Sequence, residues 1–327
     1  MKNYSALFFL VILMSVSIFA ETIKIGASSS LSTAGIYIAQ EKGYFKQAGL
    51  DTEIIILNNS TAQMTTLLVK NELQVGAGNI IAGLFNAHAS GEKFKIVADK
   101  GHISQSSQYI WLIVRKDLVD TKKVKSIKDL KGLKIGLPSI EGSSQQIVLD
   151  QILNSEKLTL KDVELVKVGY PDMNVALKNK NIDAAVQLEP FLTDAVENSI
   201  AVKFESAQKF RPNQQSAVIL FSEKFSKQKE ASKFVQAYLL GVKDYNTALK
   251  NKNEWLQIAP LINKYSKLDG EKSWQKIESV GLSDTGNIDK ASLELDLEWY
   301  KKNGFIKGEI NLKDVVDEQF ITIKINK

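Results

Sequence analysis

Short apolar runs alternate along the chain with segments whose apolar residues recur at helical spacing. The short runs predict strands and the periodic segments predict amphipathic helices. At the start of the chain the predicted strands are residues 22–27, 52–57, 73–78 and 94–98, and the predicted helices are residues 34–42, 61–70 and 80–89. Strands that alternate with helices predict a mainly parallel sheet flanked by helices, an α/β fold.

The middle of the chain repeats this order. Lys24-Ile25-Gly26 precedes a serine-rich turn, and Lys134-Ile135-Gly136 precedes a second one, after which a helix is predicted to begin near Ser143. The spacing from strand to strand is nearly the same in the two parts, which predicts two similar α/β lobes. Open α/β sheets bind ligands beyond the carboxyl ends of their strands. Two facing lobes therefore predict one cleft lined by turns from both.

The chain is predicted to cross between the lobes twice, at the strand-like runs 109–114 and 216–221. We therefore assign residues 21–116 and 212–327 to the first lobe and residues 117–211 to the second. The polar segment 99–107, which contains His102, is predicted to be a loop that forms a lip over the cleft. Later helices are predicted at residues 230–250, 255–265, 271–280 and 290–302.

The first 20 residues have the pattern of a secretory signal peptide. Lys2 supplies the positive charge, residues 7–19 are almost wholly apolar, and Ala20 is a small residue at the expected cleavage site. An uncleaved membrane anchor is the alternative. The chain contains no cysteine, which excludes disulfides, thiolate catalysis and a lipidated cysteine tether. A soluble exported protein without a tether is expected in the periplasm.

Composition and charge exclude several classes of function. The formal net charge is only +5, and only Arg115 and Arg211 are arginines. Nucleic-acid-binding proteins concentrate arginine on one face, so no nucleic-acid partner is predicted. The chain has neither a histidine pair at metal-binding spacing nor a nucleophile elbow, and we predict no metal, no cofactor and no catalytic residue.

Several short motifs, in order, resemble one known family. They are Ala39-Gln40-Glu41-Lys42-Gly43-Tyr44-Phe45, Gly49-Leu50-Asp51, Val75-Gly76-Ala77-Gly78-Asn79, Val114-Arg115-Lys116-Asp117-Leu118, Asp129-Leu130-Lys131-Gly132, Asp183-Ala184-Ala185, Glu189-Pro190-Phe191 and Glu298-Trp299-Tyr300. The chain resembles the periplasmic solute-binding proteins of ABC importers, in the branch that binds nitrate, aliphatic sulfonates, taurine and thiamine-pyrimidine precursors.

The resemblance implies a two-lobed fold of the type II periplasmic-binding-protein kind, with two crossover strands. It also implies a monomer that closes on a small solute and delivers it to a membrane permease driven by an ATPase. Yeast-type pyrimidine-precursor synthases share the fold but use a cysteine-rich motif, which this chain lacks.

Turn residues at the strand ends of both lobes are the candidate ligand-binding residues. They are Ser29, Ser30, Thr33, Tyr37, Ser60, Thr61 and Asn79 in the first lobe, and Ser139, Gly142, Ser143, Ser144, Gln145 and Glu189 in the second. Hydroxyls and helix N-terminal N–H groups suit an oxyanion such as sulfonate or nitrate, and they do not need a buried cation to hold it. Each hydroxyl residue is equally typical of an ordinary turn or helix cap.

Glu189 has two interpretations. It follows a predicted strand and precedes Pro190, so its carboxylate could face the cleft and pair with a cationic group of a zwitterionic solute. It could equally stabilise the start of a helix, where the dipole favours negative charge. The predicted function is capture of a small anionic or zwitterionic solute. A lyase or dehydratase on the same fold and a ligand-sensing domain are the alternatives.

Overall fold

The structure is a computed structural model that describes residues 21–57, 61–266 and 274–321. The predicted signal peptide and Ser60 lie outside the described residues. Within them, the strands in chain order are β1 (Ile23–Ala27), β2 (Thr52–Ile56), β3 (Val75–Asn79), β4 (Phe94–His102), β5 (Ile110–Arg115), β6 (Lys134–Leu137), β7 (Glu164–Lys167), β8 (Ala184–Leu188), β9 (Ala201–Ser206) and β10 (Gln215–Ser222).

Helices cover both sheets and fill most of the C-terminal third. They are α1 (Ala34–Glu41), α2 (Tyr44–Gln47), α3 (Thr61–Val69), α4 (Ala82–Ala89), α5 (Lys116–Asp120), α6 (Ser144–Asn154), α7 (Tyr170–Lys178), α8 (Phe191–Glu197), α9 (Ala207–Phe210), α10 (Glu223–Ser226), α11 (Lys229–Ala248), α12 (Lys252–Ser266), α13 (Lys290–Lys302) and α14 (Leu312–Val315). Among the described residues, no helix combines the length and the apolar character needed to cross a membrane.

Two sheets of five strands form the two lobes. The first has the order β2-β1-β3-β10-β4, and the second has the order β7-β6-β8-β5-β9. In the first sheet β10 runs antiparallel to β3 and β4, and in the second β5 runs antiparallel to β8 and β9. The predicted two-lobed α/β fold is confirmed, with sheets that are mixed because each contains one antiparallel strand.

The antiparallel strands are the two predicted crossover runs. The chain leaves the first sheet after β4 and enters the second sheet as β5, and it returns from β9 to the first sheet as β10. The division into lobes at residues 116 and 212 stays a prediction. Strand β5, which belongs to the second sheet, lies within the range assigned to the first lobe.

Two predicted boundaries in the first lobe are wrong. Residues 99–102 are not part of a loop, because β4 runs on to His102 along β10 through irregular pairing around Lys100. The predicted helix 271–280 is absent from residues 277–280, and residues 271–273 lie outside the described residues. In that segment the N–H groups of Glu278 and Val280 donate to side chains, the Glu189 carboxylate and the Tyr245 hydroxyl, instead of to helix carbonyls.

Candidate functional site

The second-lobe turn begins where β6 ends at Leu137 and ends at helix α6. Ser143 caps the helix, since its Oγ accepts a hydrogen bond from the N–H of Gln146 at 3.2 Å. This cap is the ordinary reading of a serine at a helix start. Gly142 has a φ of 82°, a left-handed conformation that favours glycine. The sequence therefore determines this turn locally.

The same turn packs directly on the first lobe. The N–H of Ala82 donates to the carbonyl of Gly142 at 2.8 Å, and the N–H of Ser144 donates to the carbonyl of Ile80 at 3.2 Å. A Cβ added at Gly142 would lie only 2.7 Å from the Cβ of Ala82. The lobes therefore meet through backbone contacts at a position where a side chain has no room.

A pocket of about 130 Å³ lies beside this junction, between turns of the two lobes. It is lined by Thr61, Ala62, Asn79, Ile81 and Gly83 from the first lobe and by Pro138, Ser139, Glu141, Ser143, Gln145 and Lys167 from the second. Five of the predicted site residues are thus brought together. A larger groove of about 670 Å³ along α13 is lined by none of the predicted residues.

Asn79 is held at the end of β3 by contacts on both sides of the pocket. Its N–H donates to Thr61 Oγ1 at 2.9 Å, and its Nδ2 donates to Tyr170 Oη of the second lobe at 3.4 Å. On the other wall, Ser144 Oγ donates to Gln145 Oε1 at 3.1 Å. The side-chain amide and hydroxyl groups among them can form hydrogen bonds with a small polar solute instead.

The first-lobe turn carries a chain of buried hydroxyls. Ser28 Oγ lies 2.9 Å from Ser30 Oγ and 3.2 Å from Thr33 Oγ1, and Ser30 Oγ lies 2.8 Å from Ser32 Oγ. The N–H of Leu31 donates to the carbonyl of Glu189 in the second lobe at 3.1 Å. Ser30 and Thr33 therefore lie at a second junction between the lobes and do not line the pocket; Ser29, in the same turn, is half-buried and is not in the pocket wall either.

Tyr37 supports this turn from the core. Its ring is fully buried on α1 and stacks on Tyr265 with 4.3 Å between centroids, and its hydroxyl donates to the carbonyl of Ser28. Burial raises the pKa of its phenol far above the ordinary value. Tyr37 thus fixes the turn, and its role as a ligand contact stays a prediction.

Glu189 is fully buried at the end of β8, and its carboxylate has three protein donors. Oε1 accepts from Thr193 Oγ1 at 2.7 Å and from the N–H of Glu278 at 3.0 Å, and Oε2 accepts from the N–H of Thr193 at 3.0 Å. Burial raises its pKa to about 7, although these donors act in the opposite direction. The contacts favour the helix-start interpretation, and pairing with a ligand cation stays a prediction.

Sequence reasoning missed Lys100. This lysine is fully buried near the end of β4, where the sequence Asp99-Lys100-Gly101-His102 is so polar that it predicted a loop. Its Nζ donates one hydrogen bond, to the carbonyl of Ala77 at 3.4 Å. Lys100 is therefore a buried basic side chain near a strand end of the first lobe, which the candidate residues did not include. The available signal was a lysine two residues after the strand-like run that ends at Ala98.

The described ranges contain no group of three or more His, Asp or Glu side chains arranged to hold a metal ion. The polar atoms gathered at the lobe junctions are mainly hydroxyls, amides and backbone groups, which suit recognition of a small solute by hydrogen bonds.

The model of the family described as NMT1/THI5 like matches residues 30–250. The chain belongs to this family. The predicted resemblance is confirmed, since the chain matches this family and shares its fold with solved binding components of ABC importers. A relative from Brucella abortus, described only as a binding protein, is 27% identical over 300 residues, 88% of this chain and 87% of the relative.

Solved structures share the fold of this NMT1/THI5-like chain at low identity. The ligand-binding component of an ABC-type import system from Staphylococcus aureus has a TM-score of 0.77 at 15% identity, covering 93% of this chain and 98% of that one. The alkanesulfonate-binding protein SsuA from Xanthomonas axonopodis, bound to MOPS, has a TM-score of 0.71 at 13% identity, covering 91% and 98%. The desulfurization enzyme DSZB also matches, with a TM-score of 0.65 at 13% identity, covering 93% of this chain and 98% of the enzyme.

Proposed function

We propose that this protein is the solute-binding component of an ABC importer, which captures a small anionic or zwitterionic solute and delivers it to a membrane permease driven by an ATPase. The observation that carries the proposal is the pocket lined from both lobes, with Thr61 and Asn79 on one side and Ser139 and Ser143 on the other. A ligand held this way bridges the lobes and stabilises their closed arrangement.

Closure in this proposal uses the backbone junction around Gly142. The hydrogen bonds of Ala82 to Gly142 and of Ser144 to Ile80 join the lobes, and an open form has to break them. The solute adds its own contacts to both walls and so shifts the equilibrium towards the closed form. The permease then recognises the closed surface. We further propose that the protein is exported to the periplasm by its N-terminal signal and acts as a monomer.

The chemistry of the strand ends supports an anionic or zwitterionic solute. Hydroxyls and helix N-terminal N–H groups favour negative charge, and both lobes present them. The structural neighbour SsuA was solved with MOPS, a sulfonate. Sulfonates, taurine, nitrate and thiamine-pyrimidine precursors are therefore the first solutes to test.

The test is a thermal-shift screen of residues 21–327 against sulfonates, taurine, nitrate, bicarbonate and aminopyrimidines. A ligand at a hundredfold excess over its Kd stabilises the folded protein by about 2.7 kcal/mol. We expect at least one compound to raise the melting temperature, with Kd then measured by calorimetry. If none of these classes binds, the proposal is contradicted.

Two glycine variants test whether binding requires closure. Gly142→Ala places a Cβ against Ala82, whereas Gly132→Ala carries similar strain, at a φ of 78°, with nothing within 4 Å of the new Cβ. Overpacking costs about 1–3 kcal/mol, which is about fivefold to about 150-fold in affinity when it falls only on the closed form. We expect weaker binding for Gly142→Ala only. Equal losses in both variants would show that closure at Gly142 is not needed.

An enzyme is the second candidate, because DSZB shares the fold. The discriminating measurement is product analysis by NMR after prolonged incubation of each hit with the protein. A solute-binding protein returns its ligand unchanged. Turnover of any hit that is lost in a pocket variant would establish the enzyme class instead.

A further inference from the structure

Lys100 is a fully buried cation with almost no protein partner. Its ammonium can donate three hydrogen bonds, and it makes one, which at 3.4 Å is longer than an ordinary N–H···O bond. In the part of the chain that the structure describes, no carboxylate forms an ion pair with it.

The neighbouring Asp99 does not supply the missing partner. Its Oδ1 accepts from the Gln215 amide at 2.6 Å and from the N–H of Gly101 at 3.1 Å, and it lies 3.2 Å from His102 Nδ1. Its Oδ2 accepts from the N–H of Ser283 at 2.8 Å. The aspartate is therefore engaged elsewhere and acts on Lys100 only at longer range.

A buried ammonium in this state is costly for the fold. Removing a charge from water without pairing it carries a large penalty, and the carbonyl of Ala77 repays little of it. Burial lowers the pKa of Lys100 to about 7, although Asp99 acts in the opposite direction. Buried groups with strongly perturbed ionisation cluster at functional sites. An apolar side chain of similar size would serve the core better.

The position of Lys100 connects it to the strand ends of the first lobe. Ala77, which accepts its hydrogen bond, lies two residues before Asn79 of the pocket wall. The next residue in the chain, Gly101, approaches the hydroxyl-bearing turn, since a Cβ added there would lie 2.9 Å from Ser32 Cβ. The ammonium thus lies beside the strand that carries Asn79, and the backbone that follows Lys100 lies beside the hydroxyl-bearing turn.

We propose that Lys100 is the charge anchor of the cleft, and that its ammonium pairs with an anionic group of the solute, a carboxylate, a sulfonate or a comparable oxyanion. The hydroxyls of Ser28, Ser30 and Ser32, which now bond one another, are free in orientation and can turn to share the same oxyanion. This inference rests on the proposed binding function and adds the charge that the solute must carry.

The test compares charged and neutral probes on matched proteins. Ethanesulfonate and acetate are measured beside ethyl methyl sulfone and acetamide, which are uncharged and keep at least one oxygen acceptor, together with the hits of the solute screen. The proteins are residues 21–327 of the wild type, Lys100→Met, and the control Lys95→Met. Lys95 is on the same strand and donates to the carbonyl of Asp314 at 2.7 Å.

We expect the wild type and Lys95→Met to bind anions and not their neutral counterparts, and Lys100→Met to bind anions at least about a hundredfold more weakly while melting no lower than the wild type. If Lys100→Met fails to fold, Lys100→Gln takes its place. A Kd for the anion that is unchanged in Lys100→Met, or a preference of the wild type for neutral or cationic solutes, overturns the inference and leaves the binding function standing. A wild type that binds no probe and no solute of the screen contradicts both.

Discussion

Lys100 and Glu189 are buried ionisable side chains near strand ends of opposite lobes, and they differ greatly in the hydrogen bonds that the protein offers them. The Glu189 carboxylate accepts three hydrogen bonds between 2.7 and 3.0 Å. The Lys100 ammonium donates one hydrogen bond of 3.4 Å. Both side chains are fully buried, so the difference lies in their partners alone.

This difference separates a structural charge from one that is available to a ligand. Glu189 joins the start of α8 to the segment around Glu278, and removing it leaves three donors unpaired. Lys100 holds nothing together, so its removal relieves a penalty. A buried carboxyl group whose hydrogen-bond partners are all in the protein joins parts of the fold, whereas a buried ammonium that lacks partners costs stability until a ligand supplies them.

The largest expected effect is from Glu189→Leu. The substitution leaves the Thr193 hydroxyl and two backbone N–H groups buried without acceptors, and each unpaired donor costs about 1–3 kcal/mol. We expect the free energy of unfolding, measured by urea denaturation, to fall by about 4 kcal/mol. Glu189→Gln keeps one acceptor oxygen and should lose less than half as much. A loss below about 1 kcal/mol for Glu189→Leu would contradict the structural role.

Lys100→Met should have the opposite effect on stability and raise the free energy of unfolding. Replacing a poorly partnered buried charge with an apolar side chain of similar size is expected to raise the free energy of unfolding by about 2 kcal/mol at pH 7. The same urea titration measures it, with Lys95→Met as the control within about 0.5 kcal/mol of the wild type. If Lys100→Met is destabilised, the ammonium has a structural partner and the contrast with Glu189 is lost.

The pH dependence sharpens the comparison. The pKa of Lys100 is lowered to about 7 in the folded protein, so between pH 7 and pH 10 the unfolded chain binds more protons at this position. Stability contributed by this group therefore rises with pH across that range. We expect the advantage of Lys100→Met over the wild type to shrink from pH 7 to pH 10. An advantage that stays constant over this range would show that Lys100 ionises normally.

Glu189 should make the free energy of unfolding fall, instead of rise, with increasing pH, and it should do so at lower pH than Lys100. Its folded pKa is raised to about 7, so the folded protein binds more protons than the unfolded chain between pH 4.5 and pH 7. Its contribution to stability is present below that range and is lost as pH rises through it. The melting temperature of the wild type should therefore fall more steeply with rising pH across this range than that of Glu189→Gln, which lacks the titrating group. The pKa of Asp296 is also raised to about 7, but this residue contributes equally to the pH dependence of both proteins.

The smallest expected effect is at Ser143, a polar group whose partners are all local. Ser143→Ala removes the cap of α6 and should lower the free energy of unfolding by about 1 kcal/mol. Ser155→Ala, at the other end of the same helix, removes only a contact with the carbonyl of Ile152 and serves as the control. Equal effects in urea titrations would show that capping is not what Ser143 contributes.

The sequence by itself determined the elements and their order. Periodicity located β1, β2, α1 and the start of α6 to within one residue, and the repeated strand-turn-helix unit predicted two lobes with a cleft between them. The cap at Ser143 was also predictable, because a cap depends only on residues three positions along the chain. Local patterns suffice where the interacting groups are neighbours in sequence.

Only the tertiary structure decided which of the polar strand ends meet and which are paired. Lys100 was hidden because Asp99-Lys100-Gly101-His102 has a loop-like composition, and pairing with β10 overrides that local preference. The three partners of Glu189 include the N–H of Glu278, which is 89 residues away. Glu278 lies in a segment that the sequence pattern predicts to be helical but that is not helical in the structure. The burial of a charged side chain and its hydrogen-bond partners depend on contacts between residues distant in sequence. These contacts decide whether the protein itself supplies the partners, as for Glu189, or leaves them to a ligand, as we propose for Lys100.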